Sequence, residues 1–258
     1  MTTPSDRGAA RGAALVTGAG RRIGQALALE AARAGYDVAV HHRASADEAE
    51  ETVAAVQALG RRAVAVRADL TVEAEVAALA SQATEALGPV TLLVNSASAF
   101  QDDRVGGLSR ETWDLHLETN LRAPIVLAEA FAAALPADRE GLVVNIIDQR
   151  VWRPNPQFFS YSLAKAGLWW ATQTLAQALA PRVRVNAIGP GPTLPSVHQA
   201  PGEFEAEAAN VLLQRRATPD QVAHALRYLI DATSVTGQMI AVDGGQHLGW
   251  QTPDIVAP

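Results

Sequence analysis

The chain has 258 residues, 48% of them hydrophobic, which is enough for one large α/β domain with a sizeable core. Its formal net charge of −6 argues against a nucleic-acid-binding protein, because such a protein usually presents a basic face. The sequence contains no cysteine, which excludes disulfides and thiol chemistry and fits a reducing compartment.

Two features of the chain bear on where the protein works. No run of roughly eighteen apolar residues occurs, so no membrane span is predicted. Residues 1–12 lack the apolar core of a signal peptide. We therefore expect residues 1–12 to form a disordered tail, and we expect a cytoplasmic protein with no membrane partner.

Short runs rich in β-branched residues alternate with longer segments rich in Ala and Leu. The runs that predict strands lie at 13–18, 37–42, 63–68, 90–95, 141–147, 182–188 and 238–244. The segments that predict helices lie near 22–34, 46–59, 72–87, 109–135, 161–180 and 219–231. The strands are apolar throughout, which is typical of a sheet covered on both faces. This alternation predicts α/β architecture: one Rossmann-type domain, residues 13–258, with a doubly wound, seven-stranded parallel sheet flanked by helices.

One irregular region, residues 189–218, follows the sixth predicted strand. It begins with Pro and Gly and then becomes helix-like. Because ligands of open α/β sheets bind at the carboxyl ends of the strands, this region is predicted to be a lid over the substrate.

A glycine-rich turn connects the first predicted strand to the first helix. Glycines at this place let the backbone approach a pyrophosphate, whose charge the helix N-terminus stabilises. The turn therefore predicts a dinucleotide site, and its candidate cofactor-binding residues are Gly18, Gly20, Arg21, Arg22, Ile23 and Gly24.

The end of the second strand indicates which nicotinamide cofactor is used. NAD-dependent proteins place an acidic residue there to bind the ribose 2′-hydroxyl. This chain has the sequence HHRAS at 41–45, with no carboxylate. Donors at this place suit a 2′-phosphate through charge-assisted hydrogen bonds, so we expect NADP(H), bound by His42, Arg43 and Ser45.

At this point the chain resembles the short-chain dehydrogenase/reductase family over nearly its whole length. The motifs that carry the resemblance are TGAGRRIG at 17–24, Asp69-Leu70, Asn95-Ser96-Ala97, Asn120, the Tyr161-x-x-x-Lys165 pair and GPGPT at 189–193. The resemblance implies that Asp69 and Leu70 flank the adenine, and that Asn95, with Ser96 and Ala97, supports the cofactor near the fourth strand. It places Pro190, Gly191 and Thr193 by the carboxamide.

The same resemblance implies a proton relay. Tyr161 would be the proton donor. Lys165 would bind the nicotinamide ribose beside it and lower the pKa of the tyrosine. Asn120 would hold a water molecule in the relay.

Three positions depart from the usual family pattern. Arg22 stands in place of the third glycine of the turn, Asp148 stands where a catalytic serine is usual, and Ser98 and Phe100 lie where a glycine commonly follows Ala97. Together these departures look like the pteridine reductase branch of the family, which includes the bacterial dihydromonapterin reductases.

A pterin would give the unusual acid a role. Hydride goes to a C=N bond, and a ring nitrogen must be protonated. Asp148 cannot donate a proton while ionised, so it would need a pKa raised by burial, or protons supplied through Tyr161 and a water molecule. Phe100 would stack on the flat bicycle, and Arg22 and Ser98 would contact the pterin or the phosphates. Further candidates for the pocket wall, which the sequence does not rank, are Trp152, Phe158, Phe159, His198 and Trp250.

The sequence thus predicts an NADPH-dependent reductase of a small pterin-like substrate. One alternative is a reductase of a ketone or acyl carbonyl, and another is a non-catalytic NADP-binding sensor. Tyr161, Lys165 and Asn120 count against the sensor, since a sensor need not keep a proton relay. No residues have convincing metal-ligand spacing, so no metal is expected.

The helix predicted at 161–180 bears on assembly. It is apolar nearly all round, and such a helix is normally buried on both sides. The family resemblance also implies a tetramer with 222 symmetry, so a homotetramer is expected.

Overall fold

The computed structural model describes residues 11–196 and 199–250. Seven strands form one sheet, in the order β3-β2-β1-β4-β5-β6-β7, and every neighbouring pair is parallel. Their bounds are β1 Ala13–Val16, β2 Asp37–His42, β3 Ala63–Arg67, β4 Val90–Asn95, β5 Gly141–Ile146, β6 Val183–Pro190 and β7 Met239–Val242. The predicted α/β class and the seven-stranded parallel sheet are confirmed.

Eight α-helices connect the strands in the described part of the chain. Their bounds are α1 Arg22–Arg33, α2 Ala46–Ala58, α3 Glu73–Leu87, α4 Arg110–Leu117, α5 Ala123–Ala134, α6 Phe159–Leu179, α7 Glu203–Ala209 and α8 Pro219–Asp231. The single helix predicted at 109–135 is instead two helices, separated by the π-helical turn Glu118–Arg122. Among the described residues, no helix is both long and apolar enough to cross a bilayer.

Two apolar layers cover the sheet. On one face, α1, α2 and α8 pack through side chains such as Leu27, Val56 and Leu226. On the other face, α3 and α5 contribute Leu79 and Phe131, among others. Burial on both faces explains why the strands have continuous apolar sequences rather than alternating ones.

The strand order determines where the loops meet. The chain moves outward from β1 to β3 on one side and from β4 to β7 on the other, so the order reverses between β1 and β4. The carboxyl ends of β1, β4, β5 and β6 lie next to one another, and a ligand crevice forms at such a reversal. Residues that follow these four strands therefore share one region.

The start of the described chain is attached to the sheet. The Arg11 N–H donates to the Gly35 carbonyl oxygen at 3.4 Å, and the Thr91 hydroxyl donates to the Arg11 carbonyl oxygen at 2.8 Å. Arg11 and Gly12 thus differ from the predicted tail. Residues 1–10 lie outside the described part of the chain, and so does His198.

Candidate active site

The glycine turn after β1 packs against the segment that follows β4. Gly18 has φ +63°, and a Cβ there would lie 2.8 Å from the Ala97 Cα. A Cβ on Gly24 would overlap the Gly18 carbonyl oxygen. The hydroxyl of Thr17 accepts hydrogen bonds from the N–H groups of Ser96 and Ala97, at 2.9 and 3.0 Å. The turn is therefore built for close backbone approach.

Arg22 occupies a backbone conformation that suits glycine. Its φ is +56°, in the left-handed region that costs a residue with a Cβ about 1–2 kcal/mol. Its guanidinium Nη2 donates to the carbonyl oxygens of Leu194 and Pro195, at 3.3 and 3.0 Å. Arg22 thus connects the glycine turn to the segment after β6. It was expected to contact the pterin or the phosphates, and these two carbonyls are its observed partners.

His41 has a structural role at the end of β2. The Gly18 N–H donates to His41 Nδ1 at 3.1 Å, so His41 Nε2 carries the hydrogen and donates to the Ala68 carbonyl oxygen at 3.1 Å. Burial lowers the pKa of His41 to about 4, and the ring is neutral at physiological pH. His41 thus fixes the glycine turn and does not join the donors at 42–45.

Those donors lie beside the turn. His42 is 8% exposed, and its Nδ1 is buried without a hydrogen-bond partner among the described residues. Arg43 is exposed, and Ser45 Oγ would be 3.3 Å from a Cβ on Gly20. An orphaned ring nitrogen next to an exposed guanidinium suits an anionic group on the cofactor.

Asp69 and Leu70 follow β3 at the same end of the sheet. Asp69 Oδ1 accepts hydrogen bonds from the Thr71 N–H and hydroxyl, at 2.9 and 2.8 Å. These bonds are the main reason that the pKa of Asp69 is lowered, and the charge of Arg43 adds to the effect. Leu70 is buried. The arrangement leaves Asp69 ionised beside Arg43.

Asn95 belongs to a buried row of polar side chains. Its Nδ2 donates to Asn145 Oδ1 at 2.8 Å, and Asn145 Nδ2 donates to the Thr172 hydroxyl at 2.9 Å. This row joins β4, β5 and α6. Asn95 is 2% exposed, so its side chain supports the site from below the loops.

The centre of the candidate site is a hydrogen bond between Tyr161 and Asp148. The Tyr161 hydroxyl, in the first turn of α6, donates to Asp148 Oδ2 at 2.9 Å. Asp148 begins the 3-10 turn Gln149–Val151, and its Oδ1 accepts from the Arg150 N–H at 2.9 Å. Lys165 is 2% exposed, and its Nζ donates to the Ile146 carbonyl oxygen at 2.9 Å. The structure therefore brings the three predicted catalytic side chains together.

Burial controls the protonation of these groups. It raises the pKa of Asp148, while the neighbouring Arg150 charge acts in the opposite direction. Burial and the Asp148 carboxylate together raise the pKa of Tyr161 well above its usual value. Burial lowers the pKa of Lys165 to about 8. The expected lowering of the Tyr161 pKa by Lys165 is not found, because the carboxylate and the burial outweigh it.

Asn120 lies in the π-helical turn and holds the loop after β4. Its Nδ2 donates to the Ala99 carbonyl oxygen at 2.8 Å, and the Ala99 N–H donates to its Oδ1 at 2.9 Å. Asn120 was expected to hold a water molecule of the relay. Its observed side-chain contacts instead position the segment that carries Ser98 and Phe100.

An aromatic cluster adjoins Tyr161. The rings of Phe100 and Phe158 stack with centroids 4.2 Å apart, and Tyr161 meets Phe100 edge-on at 4.7 Å. The Arg150 guanidinium lies 5.1 Å from the centroid of the Phe158 ring. Sequence reasoning missed Arg150, although it stands two residues after Asp148 on the same turn. Arg150 thus contacts both the acid and the aromatic cluster.

A second buried network, also missed, lies behind Tyr161. The Gln101 N–H donates to His116 Nε2 at 3.0 Å, so His116 Nδ1 donates to the Ser160 hydroxyl at 2.7 Å. That hydroxyl donates to Asp103 Oδ2, and the Ser160 N–H donates to Asp103 Oδ1 at 3.1 Å. Asp103 therefore caps the first turn of α6 from another loop and fixes the helix end that carries Tyr161.

These elements surround one cavity of about 630 Å³, a size typical of sites for small organic ligands. Its wall includes Arg22, Phe100, Asp148, Phe158, Pro190, Gly191 and Thr193, together with residues of α7. Of the unranked pocket candidates, Phe158 lines this cavity, whereas Trp152, Phe159 and Trp250 do not. Trp152 instead lies 5.0 Å from the His247 ring.

Known proteins with this arrangement identify the family. The chain matches the family model described as Enoyl-(Acyl carrier protein) reductase over residues 18–247. It is 30% identical to 3-oxoacyl-[acyl-carrier-protein] reductase FabG of Staphylococcus epidermidis, over 91% of this chain and 98% of that protein. The chain belongs to the short-chain dehydrogenase/reductase family.

Two solved structures are similar over nearly the whole chain. FolM Alternative dihydrofolate reductase 1 from Brucella canis, complexed with NADP, is 52% identical with a TM-score of 0.92, covering 98% of this chain and 100% of that chain. A short chain dehydrogenase from Burkholderia cenocepacia, in complex with NADP, is 34% identical with a TM-score of 0.86, covering 92% of this chain and 98% of that chain.

Proposed function

We propose that the protein is an NADPH-dependent reductase of a dihydropterin of the dihydromonapterin or dihydrobiopterin type. The observation that carries the proposal is the hydrogen bond between Tyr161 and Asp148, beside an aromatic ring that can contact a flat bicycle. A carbonyl reductase needs a neutral hydroxyl at the position of Asp148. The 52% identity to a Brucella protein named as an alternative dihydrofolate reductase supports the same substrate class.

The described residues fit NADP(H). The glycine turn allows close approach of a pyrophosphate, and the buried, unpartnered His42 Nδ1 next to Arg43 suits a 2′-phosphate. Ser45 and Asp69 would complete the adenosine end, and Ser96, Ala97, Pro190 and Thr193 would lie along the nicotinamide end. When bound, NADPH supplies the hydride.

The chain's own side chains would supply the proton. Asp148, kept protonated by burial, would donate its carboxyl proton to the ring nitrogen of the substrate. The Tyr161 hydroxyl, 2.9 Å from Asp148 Oδ2, would pass a proton on to the carboxylate that remains. Phe100 would hold the ring plane, and Ser98 and Arg22 would border it. The segment 189–218 would act as a lid.

We also propose a homotetramer. On the outer face of α6, Trp170 is 67% exposed and Leu163 is 45% exposed, whereas Tyr161 and Lys165 face inward. A second subunit covering this face would remove two large apolar side chains from water.

Assembly can be measured directly. Light scattering at micromolar concentration should give about four times the monomer mass, because the outer face of α6 would be covered. Trp170→Glu should shift the protein toward smaller species. A wild type that is monomeric at this concentration would contradict the proposal.

The cofactor assignment predicts a loss of discrimination on Arg43→Ala. Wild type should prefer NADPH over NADH by at least about tenfold, or 1.4 kcal/mol, and the substitution should erase most of that gap. The matched control is Arg33→Ala at the far end of α1, which removes the same charge and should leave the ratio unchanged. Equal use of both cofactors by the wild type would refute the assignment.

The role of the acid predicts a change on Asp148→Ser. Reduction of dihydropterins should fall by roughly 10² or more, since a hydroxyl with a high pKa replaces the proton-donating carboxyl. The dissociation constant for NADPH should stay within about threefold of wild type, because the change lies on the substrate side. Steady-state kinetics with NADPH and equilibrium titration measure the two quantities.

The same screen decides between the substrate classes. It should include 3-oxoacyl thioesters and simple ketones, given the 30% identity to FabG. Full activity of Asp148→Ser on dihydropterins would favour the carbonyl reductase, and so would a wild type inert toward every pterin.

A further inference from the structure

Helix α7 places two carboxylates on the wall of the cavity that contains Asp148. Glu203 and Glu207 are four residues apart, so they lie on the same face of the helix, and both line the cavity. Glu205, between them in sequence, is exposed and does not line it. The helix therefore presents negative charge to whatever extends from the reacting ring.

Neutral partners hold Glu207 in place. The side-chain amide of Gln199 donates to Glu207 Oε2 at 2.9 Å, and that of Gln246 donates to Oε1 at 2.9 Å. Within residues 11–196 and 199–250, no basic side chain lies within ion-pair distance of this carboxylate. Its charge is thus oriented without being neutralised.

The arginines of the same cavity already have acceptors. Arg22 donates to the carbonyl oxygens of Leu194 and Pro195. Arg104 pairs with Asp102 at 3.6 Å, and Arg150 donates to Asn155 and lies 3.9 Å from Asp148. A carboxylate on the substrate would have to displace one of these contacts to gain a cation.

The network also fixes Glu207 relative to the reacting centre. Gln246 opens the short turn Gln246–Leu248, and its carbonyl oxygen accepts a hydrogen bond from Arg153 Nη1 at 2.9 Å. Arg153 follows the turn Gln149–Val151 that Asp148 begins. The acid at the ring and the carboxylate on α7 are therefore held within one hydrogen-bonded assembly.

We propose that Glu207 is a specificity-determining residue that selects dihydropterins with an uncharged, hydroxylated substituent and rejects those with an anionic glutamate tail. The inference rests on the proposed function. Substituent hydroxyls can donate to the carboxylate through charge-assisted hydrogen bonds. A glutamate tail would bring like charge into a partly enclosed cavity, where repulsion is weakly screened.

The test compares two substrates in three proteins. Values of kcat/KM are measured with saturating NADPH for dihydromonapterin and for 7,8-dihydrofolate, in wild type, Glu207→Gln and Glu205→Gln. Glu207→Gln should raise the ratio of dihydrofolate to dihydromonapterin by roughly tenfold, since it removes the repulsion and weakens the hydroxyl contact. Glu205→Gln removes the same charge from the outer face of α7 and should leave the ratio unchanged.

A second measurement needs no variant. In wild type, raising the salt from about 0.05 M to about 0.5 M should increase the same ratio severalfold, because salt screens the repulsion. If wild type reduces both pterins and neither the substitution nor salt moves the ratio by more than about twofold, the inference is wrong and the proposed function stands. If wild type reduces neither pterin, the proposed function fails and the inference fails with it.

Discussion

The hydrogen bond between the Tyr161 hydroxyl and the Asp148 carboxyl is the contact on which the candidate site depends. It joins the end of β5 to the first turn of α6, and its burial raises the pKa of both groups. An acid in this position is useful only if it keeps its proton near neutral pH. The surrounding protein achieves this by desolvation, against the opposing charge of Arg150. Structure and protonation are therefore set by the same burial.

Buried polar groups hold that pair in position. The row from Asn95 to Thr172 fixes α6 against β4 and β5, and Asp103 caps the end of α6 through Ser160. A buried polar group that loses its partner costs roughly 1–3 kcal/mol, so these networks resist small displacements. The rigid part of the site lies at the strand ends, and the segment after β6 supplies the wall that differs in chemistry.

The fold and the centre of the site were predictable because local signals carry them. Strands buried on both faces have continuous apolar sequences, and the spacing between Asp148, Tyr161 and Lys165 survives in any chain that joins β5 directly to α6. The role of His41 depends on Gly18 and Ala68, which are distant in sequence, so its burial could not be read locally. The same holds for Arg22, whose left-handed backbone is offset by carbonyls 172 and 173 residues away. Arg150 escaped notice because an arginine in a turn is ordinarily solvated.

The pH dependence of dihydropterin reduction tests the central claim most directly. Asp148 is faced by Arg150, Tyr161 and Lys165, and only its protonated form can donate to the substrate. In wild type, kcat/KM measured from about pH 5 to about pH 10 should be high on the acid side and fall as the raised pKa of Asp148 is passed. Lys165, with a pKa lowered to about 8, also titrates in this range, so Asp148→Asn is the necessary comparison. The account predicts that Asp148→Asn lowers kcat/KM at every pH and loses the Asp148 limb. An alkaline limb of unchanged position and height in Asp148→Asn would contradict it.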